Sequence, residues 1–427
     1  MGIIINGTKD CAPGSKRSSF SSGKNIILMI LFPVVLLSSW VACTFSKQDQ
    51  QKREDANVIY SRAEKGSFSI PPELKKIKKT HTSKEMDWIV NKKEFGFDHK
   101  NWQSDPSRVI YYHGRYHMWM IDMDMSNDPE AKWWSDNDYF KRPEGLSFRK
   151  RFSRILYLSS ADTYHWTAHG YVPLGPEGSC YNLALEQANV VFHHGRFYMF
   201  TEVWTTNVNK YGQQYPGIAC LVADSPEGPW SLPPGVDLLL RPSLDNGKSW
   251  DSHRILNPRH VYLNGKWFMY YKGIRKEGVE TENGVAISDS LTGPYRKYEK
   301  NPLMKGHGHF CWRYKHGMIM IPNHNHYNMV ENPVEKIWMP EKTWMHWSED
   351  GIHFAPVCES GDVFLFGSLY VPDDPLFGEP VTKEPGIRFW GFESVRKNSA
   401  QSPSDFDVER INWELDTSGT NSSANTR

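Results

Sequence analysis

The chain has 427 residues, a formal net charge of +1, 23% charged residues and 14% aromatic residues. A net charge this close to zero excludes the broad basic surface that nucleic-acid-binding domains carry. Length alone would suggest two or three domains, although all-β folds often run longer as one unit.

The first 42 residues have the pattern of a signal peptide. A basic region precedes an apolar run over residues 26–37, which is too short to span a membrane comfortably. The following Val41-Ala42-Cys43 is similar to a bacterial lipoprotein signal, with Cys43 as the lipidated first mature residue. An uncleaved membrane anchor is the alternative. Both interpretations export the domain, and the first predicts a periplasmic or outer-membrane lipoprotein of a bacterium.

Residues 44–90 predict a polar tether followed by a short helical arm. Residues 52–65 have helical character, and Pro71-Pro72 predicts a second helix from Glu73 to Lys79, because proline is favoured at helix N-termini. The arm matches no repeat of the chain, so we expect it to pack on its own domain or to form a homodimer. The polar residues 416–427 predict a disordered tail.

Four β-hairpins recur between residues 95 and 415. Glycine-containing turns suit backbone with φ > 0, and they are expected at His113-Gly114, His194-Gly195, Asn264-Gly265 and His316-Gly317. Each hairpin precedes an acidic turn closed by an aromatic residue, namely Trp166, Trp230, Tyr295 or Phe354. This interval of roughly 60 to 65 residues indicates a four-stranded unit used repeatedly. Four copies and the strand-like C-terminal sequence predict a five-bladed β-propeller.

The first strand of each blade is expected to line the central channel. The residues at its start are therefore candidates for chemistry: Asp105, Asn189, Asn257, His307 and His309. A carboxylate facing imidazoles is a plausible acid/base set, although Asp105 also suits a turn and the histidines could cap a strand. Further candidates for substrate binding are Gln187, Asp251, His253 and Trp134, the last on a long polar insertion where tryptophan either stacks on a sugar or packs locally.

Cysteines and histidines give no metal-binding pattern. Cys180, Cys220, Cys311 and Cys358 are far apart, so we expect free, buried thiols. His324 and His326 lack an identified third ligand. The sequence thus requires no cofactor, and it leaves open a divalent cation in the central channel.

Several motifs together resemble the α-1,3-(3,6-anhydro)-L-galactosidases of glycoside hydrolase family 117. They are Asp105-Pro106-Ser107-Arg108-Val109-Ile110, Trp250-Asp251-Ser252-His253 leading to Asn257-Pro258, Tyr270-Tyr271-Lys272-Gly273, Gly284-Val285-Ala286-Ile287, Gly293-Pro294-Tyr295 and Gly306-His307. The resemblance implies an inverting exo-hydrolase on a five-bladed propeller, acting on marine galactan oligosaccharides and dimerising through an exchanged N-terminal arm. It also implies that Asp105 is the general base and His307 the general acid.

Two positions depart from the family pattern. Asn257 stands where the family has aspartate, and Gly308 stands where it has glutamate after Gly-His. His309 is an alternative acid because the local match slips by one or two residues. A non-catalytic glycan-binding propeller is therefore a second hypothesis, motivated by the missing carboxylates. An arabinanase-like or fructosidase-like hydrolase is a third, ranked last because those families use three carboxylates and only one is visible.

Overall fold

The protein is seen in a computed structural model that describes fourteen stretches of the chain. They are residues 69–75, 77–81, 102–123, 153–205, 217–243, 245, 248–275, 281–305, 308–323, 343–361, 365–372, 374–379, 388–396 and 406–415. Within these stretches no helix is long and apolar enough to cross a membrane. The predicted signal segment, Trp134, His307, His324, His326 and the tail lie outside the described residues.

The described strands form five antiparallel sheets. The first elements among the described residues are a 3₁₀ helix, Pro72–Lys75, and strand β1, Ile77–His81. The first sheet contains β2 (Trp102–Ser104), β3 (Ile110–Tyr112), β4 (Arg115–Met123), β5 (Ser153–Ser160) and β6 (Thr167–Tyr171). The second contains β7 (Ala184–His193), β8 (Arg196–Trp204) and β9 (Gly217–Ala223). The third contains β10 (Arg254–Leu263), β11 (Lys266–Ile274), β12 (Thr281–Ser288), β13 (Arg296–Lys297) and β14 (Met304–Lys305).

The remaining strands complete two further sheets. The fourth contains β15 (Gly308–Tyr314), β16 (Gly317–Asn323), β17 (Thr343–Ser348) and β18 (Ala355–Gly361). The fifth contains β19 (Leu365–Tyr370), β20 (Arg388–Arg396) and β21 (Phe406–Leu415), with a 3₁₀ helix at Pro375–Phe377 after β19. Strand orders are β2-β4-β5-β6 with β3 beside β4, β7-β8-β9, β10-β11-β12-β13 with β14 beside β12, β15-β16-β17-β18, and β1-β21-β20-β19.

Successive sheets contact one another in a propeller-like ring. Strand β7 contacts β4 and β10, and β10 contacts β15. The rings of Trp312 and Phe389 lie 4.6 Å apart and join the fourth sheet to the fifth. The Val109 amide donates to the Leu369 carbonyl at 3.0 Å, which joins the fifth sheet to the first. The prediction of an all-β, propeller-like fold is therefore confirmed.

The N-terminal arm differs from its prediction where the structure describes it. Glu73 to Lys79 was expected to be one helix, but only Pro72–Lys75 is helical, and Ile77–His81 pairs antiparallel with β21. Pairing with β21 supplies hydrogen bonds to both strands, whereas so short a helix is only marginally stable by itself. Residues 77–81 thus belong to the fifth sheet and not to a separate arm. The rest of residues 44–90, where the tether and first helix are predicted, lies outside the described residues except for 69–75.

Two-residue turns close the repeated hairpins. His113-Gly114, His194-Gly195 and Asn264-Gly265 all have positive φ at both positions, as two-residue hairpins require. The fourth turn is shifted, because Tyr314 pairs with Gly317 and the turn is Lys315-His316. The expected turn at His316-Gly317 is therefore wrong by one residue. Gly317 instead packs against Trp347, where a Cβ would lie 2.5 Å from the indole.

The closing aromatic residues of the repeat belong to the core. Trp166, Trp230 and Tyr295 are all buried. Phe354 is half-buried and packs against a hydrophobic cluster that includes Phe268 and Tyr270. Each ring fills space next to its sheet, which explains why the sequence repeats an aromatic at this position. Cys180, Cys220 and Cys311 are buried free thiols, as predicted.

Candidate active site

Three residues in or beside the inner strands have a strained backbone. Asp105, Gln187 and Asn257 have φ values of 47°, 51° and 54°. Strand pairing shifts register between Glu186 and Asn189 and between Leu256 and Arg259, so two of these residues sit in bulges. Non-glycine residues in this conformation cost about 1–3 kcal/mol and persist where their surroundings hold them, often at functional sites. These three residues are therefore candidates for a functional site.

The strained residues converge from neighbouring sheets. The Gln187 side-chain oxygen accepts from the backbone amide of Asn257 at 3.1 Å. A Cβ on Gly308 would lie 3.4 Å from the Asn257 side-chain nitrogen, so β15 begins beside Asn257. Asp105 is half-buried and lies close enough to Arg259 to stabilise its charge. We call Asp105, Gln187, Asn257 and Gly308 the axial quartet.

Two buried guanidinium groups lie behind the axial quartet. Arg108 Nη2 donates to the carbonyls of His260 at 2.9 Å and of Cys311 at 3.3 Å, so one side chain ties the first sheet to the third and fourth. Burial lowers the pKa of Arg259 to about 10, with repulsion from Arg108 adding to the decrease, and Cys311 and Asp105 opposing it. Two positive groups here disfavour a divalent cation at this level of the channel. No three His, Cys, Asp or Glu side chains of the described stretches are placed to hold a metal.

His309 is enclosed between the third and fourth sheets. It is 3% exposed, its Nδ1 lies 2.9 Å from Asn283 Oδ1, and its ring meets Tyr270 edge-on at 5.9 Å. Burial lowers the pKa of His309 to about 3, and Arg259 adds to the decrease. An imidazole in this environment is neutral near pH 7 and lacks the acidic imidazolium proton that a general acid donates. The catalytic role predicted for His309 stays a prediction, and its burial argues against it.

A buried acidic pair lies next to the axial quartet. Glu186 and Glu202 face each other across β7 and β8, and Arg254 bonds both, at 2.8 Å through Nη2 and 2.5 Å through Nε. The Arg254 guanidinium also lies 5.1 Å from the Trp204 ring. Burial raises the pKa of Glu202; Arg254 opposes the rise and Glu186 adds to it. Glu186 Oε1 and Glu202 Oε2 have no hydrogen-bond partner among the described residues.

Two predicted site residues of the second sheet, Asn189 and Gln187, have different environments. Asn189 is buried and its Nδ2 lies 3.4 Å from His260 Nδ1, so Gln187, not Asn189, is the second-sheet counterpart of Asp105. The sequence missed this because it does not show the bulge, which leaves Gln187 and Ala188 outside the pairing of β7 with β8. Gln187 itself was among the predicted substrate contacts, and the structure joins it to Asn257 by a hydrogen bond.

Asp251 and His253 are not part of the axial quartet. Asp251 is 1% exposed and its Oδ2 accepts from Lys297 Nζ at 2.6 Å and from the Tyr271 hydroxyl at 3.1 Å. These partners lie on β13 and β11, so the carboxylate stabilises the third sheet from within. His253 is exposed, and its amide donates to the Ile274 carbonyl at 2.9 Å. Neither environment supports the substrate contact that the motif predicts.

Sequence reasoning gave no role to several charged residues near the quartet: Arg108, Arg259, Glu186 and Arg254. The available signal was a charge within an otherwise apolar strand, as in Phe200-Thr201-Glu202-Val203-Trp204. Charged residues are rarely fully buried unless they are paired. Such a residue therefore predicts a partner, although the sequence does not name it.

The arrangement supports proton transfer at one position. Within the axial quartet Asp105 is the ionisable side chain, and it is half-buried rather than enclosed. A carboxylate can accept a proton from water, whereas the amides of Gln187 and Asn257 can only donate and accept hydrogen bonds. The quartet therefore combines one potential base with two groups that can orient hydroxyls.

Comparison with known proteins gives a likeness in fold. No family model matches this sequence, and no curated protein matches it. A family 117 glycoside hydrolase produced by the marine bacterium Zobellia galactanivorans matches with a TM-score of 0.57 and 20% identity, over 80% of this chain and 90% of that one. The catalytic domain of a family 62 α-L-arabinofuranosidase from Coprinopsis cinerea matches with a TM-score of 0.44 and 10% identity, over 80% and 98%. This chain is therefore similar in fold to a family 117 glycoside hydrolase, as its motifs predict.

Proposed function

We propose that the protein is an exo-acting, inverting glycoside hydrolase of marine galactan oligosaccharides, similar to the α-1,3-(3,6-anhydro)-L-galactosidases. The observation that carries the proposal is the axial quartet: Asp105 is a half-buried carboxylate at a strained position close to Arg259, and Gln187 and Asn257 are bonded to each other across neighbouring sheets. In this interpretation the five sheets are five blades, and the substrate enters where their inner strands start.

Asp105 is the proposed general base. It would take a proton from water as the water attacks the anomeric carbon, and the broken glycosidic bond would leave an oxygen that needs a proton. The proposed donor is His307, the neighbour of Gly308 in the chain. An inverting pair stands about 6.5–9.5 Å apart to admit the water. Gln187 and Asn257 would orient the sugar hydroxyls.

A non-catalytic glycan-binding propeller is the second candidate. The two positions that depart from the family pattern, Asn257 and Gly308, are neighbours in space. Two carboxylates that support the acid histidine in the family would thus be missing from one place, and an adjacent anion is what raises the pKa of a histidine. In that case the protein would bind an oligosaccharide and leave it intact.

A panel of reducing-end-labelled galactan oligosaccharides separates the two candidates. The wild type should release a monosaccharide from at least one of them, and Asp105→Asn should release it about 10²–10⁴-fold more slowly. Binding of an oligosaccharide that remains intact after long incubation would support the second candidate. Folded wild-type protein that neither binds nor cleaves any of them would contradict both.

The cellular setting is also a proposal. We infer export through the signal-like residues 1–42, with a lipid on Cys43, because the basic, apolar and small-residue regions follow in order. Dimerisation would use the part of residues 44–90 that precedes β1, since β1 itself is paired with β21 of its own chain. Globomycin-sensitive processing, lipid labelling and sedimentation of the full chain test these points.

A further inference from the structure

A cavity opens beside the hairpin turn of the second sheet. Its volume is about 400 Å³, and its lining includes His193, Tyr262, Trp267, Arg313 and Glu379. His193 is six residues along β7 from Gln187, and a strand rises about 3.3 Å per residue. The cavity thus lies roughly 20 Å from the quartet. We call it the turn-face cavity.

One wall of the turn-face cavity is an exposed aromatic ring on a rigid backing. Tyr262 is 38% exposed, and among the described residues no other large hydrophobic side chain is as open. Its ring lies 4.8 Å from that of Trp267, which is 3% exposed and meets the His193 ring edge-on at 5.0 Å. An exposed tyrosine held in this way presents a flat apolar face with a polar tip to solvent.

The opposite wall is fixed by hydrogen bonds. Asp374 caps the 3₁₀ helix Pro375–Phe377 and accepts from the Leu376 amide at 3.0 Å and from the Arg313 amide at 3.1 Å. The Glu379 amide donates to the Tyr111 carbonyl at 2.8 Å. A cavity whose walls are already ordered loses little conformational entropy when a ligand binds.

The polar groups of the cavity do not favour a charged ligand. Arg313 and Glu379 of the lining carry opposite charges, and the oxygens of the buried Asp374 already accept from the Leu376 and Arg313 amides. Burial lowers the pKa of His193, and His194 adds to the decrease, so this imidazole is neutral near pH 7. A neutral imidazole and a pair of opposite charges next to an apolar ring suit an uncharged ligand that has both an apolar face and hydroxyl groups.

We propose that the turn-face cavity is a second saccharide-binding site, in which an uncharged sugar ring stacks on Tyr262 and its hydroxyls bond His193, Arg313 and Glu379. The choice of a galactan saccharide rests on the proposed function. Such a site would hold the polysaccharide while the axial quartet works on a chain end. It would lengthen the time that the protein stays bound to the polysaccharide, without taking part in bond cleavage.

The test measures retention on insoluble agarose beads in the Asp105→Asn background, which suppresses cleavage. Tyr262→Ala should weaken the apparent affinity of the protein for the beads about tenfold or more, because it removes the stacking surface. Tyr262→Phe keeps the ring and should retain most of the binding. Lys266→Ala, an exposed neighbour in sequence, is the matched surface control and should change nothing. Thermal unfolding of each variant shows that the fold is intact.

Cleavage by the Asp105-containing protein is measured in parallel on a short labelled galactan oligosaccharide. Retention that depends on Tyr262 supports the second site, whether or not any oligosaccharide is cleaved. Absence of cleavage would count against the proposed hydrolase activity and not against the second site. Retention unchanged in Tyr262→Ala, or no retention of folded protein at all, overturns the second site whatever the cleavage assay gives.

Discussion

The burial of His309 predicts a pH-dependent cost that a substitution should remove. An unfolded histidine takes up a proton below its ordinary pKa of 6.5, whereas folded His309 resists protonation down to about 3. The unfolded state therefore binds more protons in this window, and stability is lost as pH falls through it. Each pH unit corresponds to about 1.36 kcal/mol. Between pH 7 and pH 5 the loss from this one group is about 2 kcal/mol.

His309→Gln lacks the titrating group, so its own stability should not carry this loss. The variant will be less stable at pH 7, because it disturbs a buried ring that bonds Asn283. Its deficit relative to wild type should then shrink by about 2 kcal/mol at pH 5. Urea unfolding at both pH values measures the difference. His316→Gln, at an exposed position beside Glu349, is the control and should show no comparable change.

A deficit that is equal at pH 7 and pH 5 would refute this reasoning. It would mean that His309 titrates when folded much as it does when unfolded. That result would also return His309 to consideration as the proton donor, since an imidazole with an ordinary pKa can be charged under working conditions. The experiment therefore bears on stability and on the choice between the two candidate acids.

Three further substitutions test other parts of the structure. Arg108→Met should lower the free energy of unfolding by about 3–5 kcal/mol, since it leaves Asp374 buried without its cation; a loss below about 1 kcal/mol in urea unfolding would contradict the role of Arg108 as a tie between sheets. Glu202 has a raised pKa, so wild-type stability should fall as pH rises above the ordinary glutamate range. Glu202→Gln should flatten this fall, seen as a smaller decrease in Tm from pH 5 to pH 8, and an unchanged slope would count against it. Gly378→Ala should cost at least about 1–3 kcal/mol, because φ is +106° and a Cβ would lie 1.9 Å from the Tyr111 carbonyl oxygen; a neutral effect would mean that this loop relaxes freely.

Local signals made the fold and part of the site predictable. Asn264-Gly265 specifies a turn through backbone conformation alone, and Trp230 marks a core position through its size and spacing. Asp105 and Asn257 each precede a proline, and in the structure both have a strained backbone. These features depend on a few consecutive residues, which is why sequence reasoning reaches them.

Non-local pairing explains most of what the sequence did not predict. Ile77–His81 follows two prolines and contains lysines, so it resembles a helix until β21, more than 300 residues later, pairs with it. Asp251 lies in a motif that resembles a substrate contact, but its role depends on Lys297 of another strand. Gln187 replaces Asn189 because of a bulge that only the pairing partner reveals. Contacts of this kind are set by tertiary structure and leave little trace in local sequence.

The most direct test of the proposed function is the kinetics of Asp105→Asn on whichever galactan oligosaccharide the wild type cleaves. Asparagine tolerates the left-handed backbone at this position, so the fold should be kept. Asp289→Asn, an exposed carboxylate paired with Lys266, is the matched control. We expect kcat to fall about 10²–10⁴-fold for Asp105→Asn with KM changed only a few-fold, and no change for the control. A folded Asp105→Asn protein that keeps wild-type kcat would contradict the assignment of Asp105 as the base.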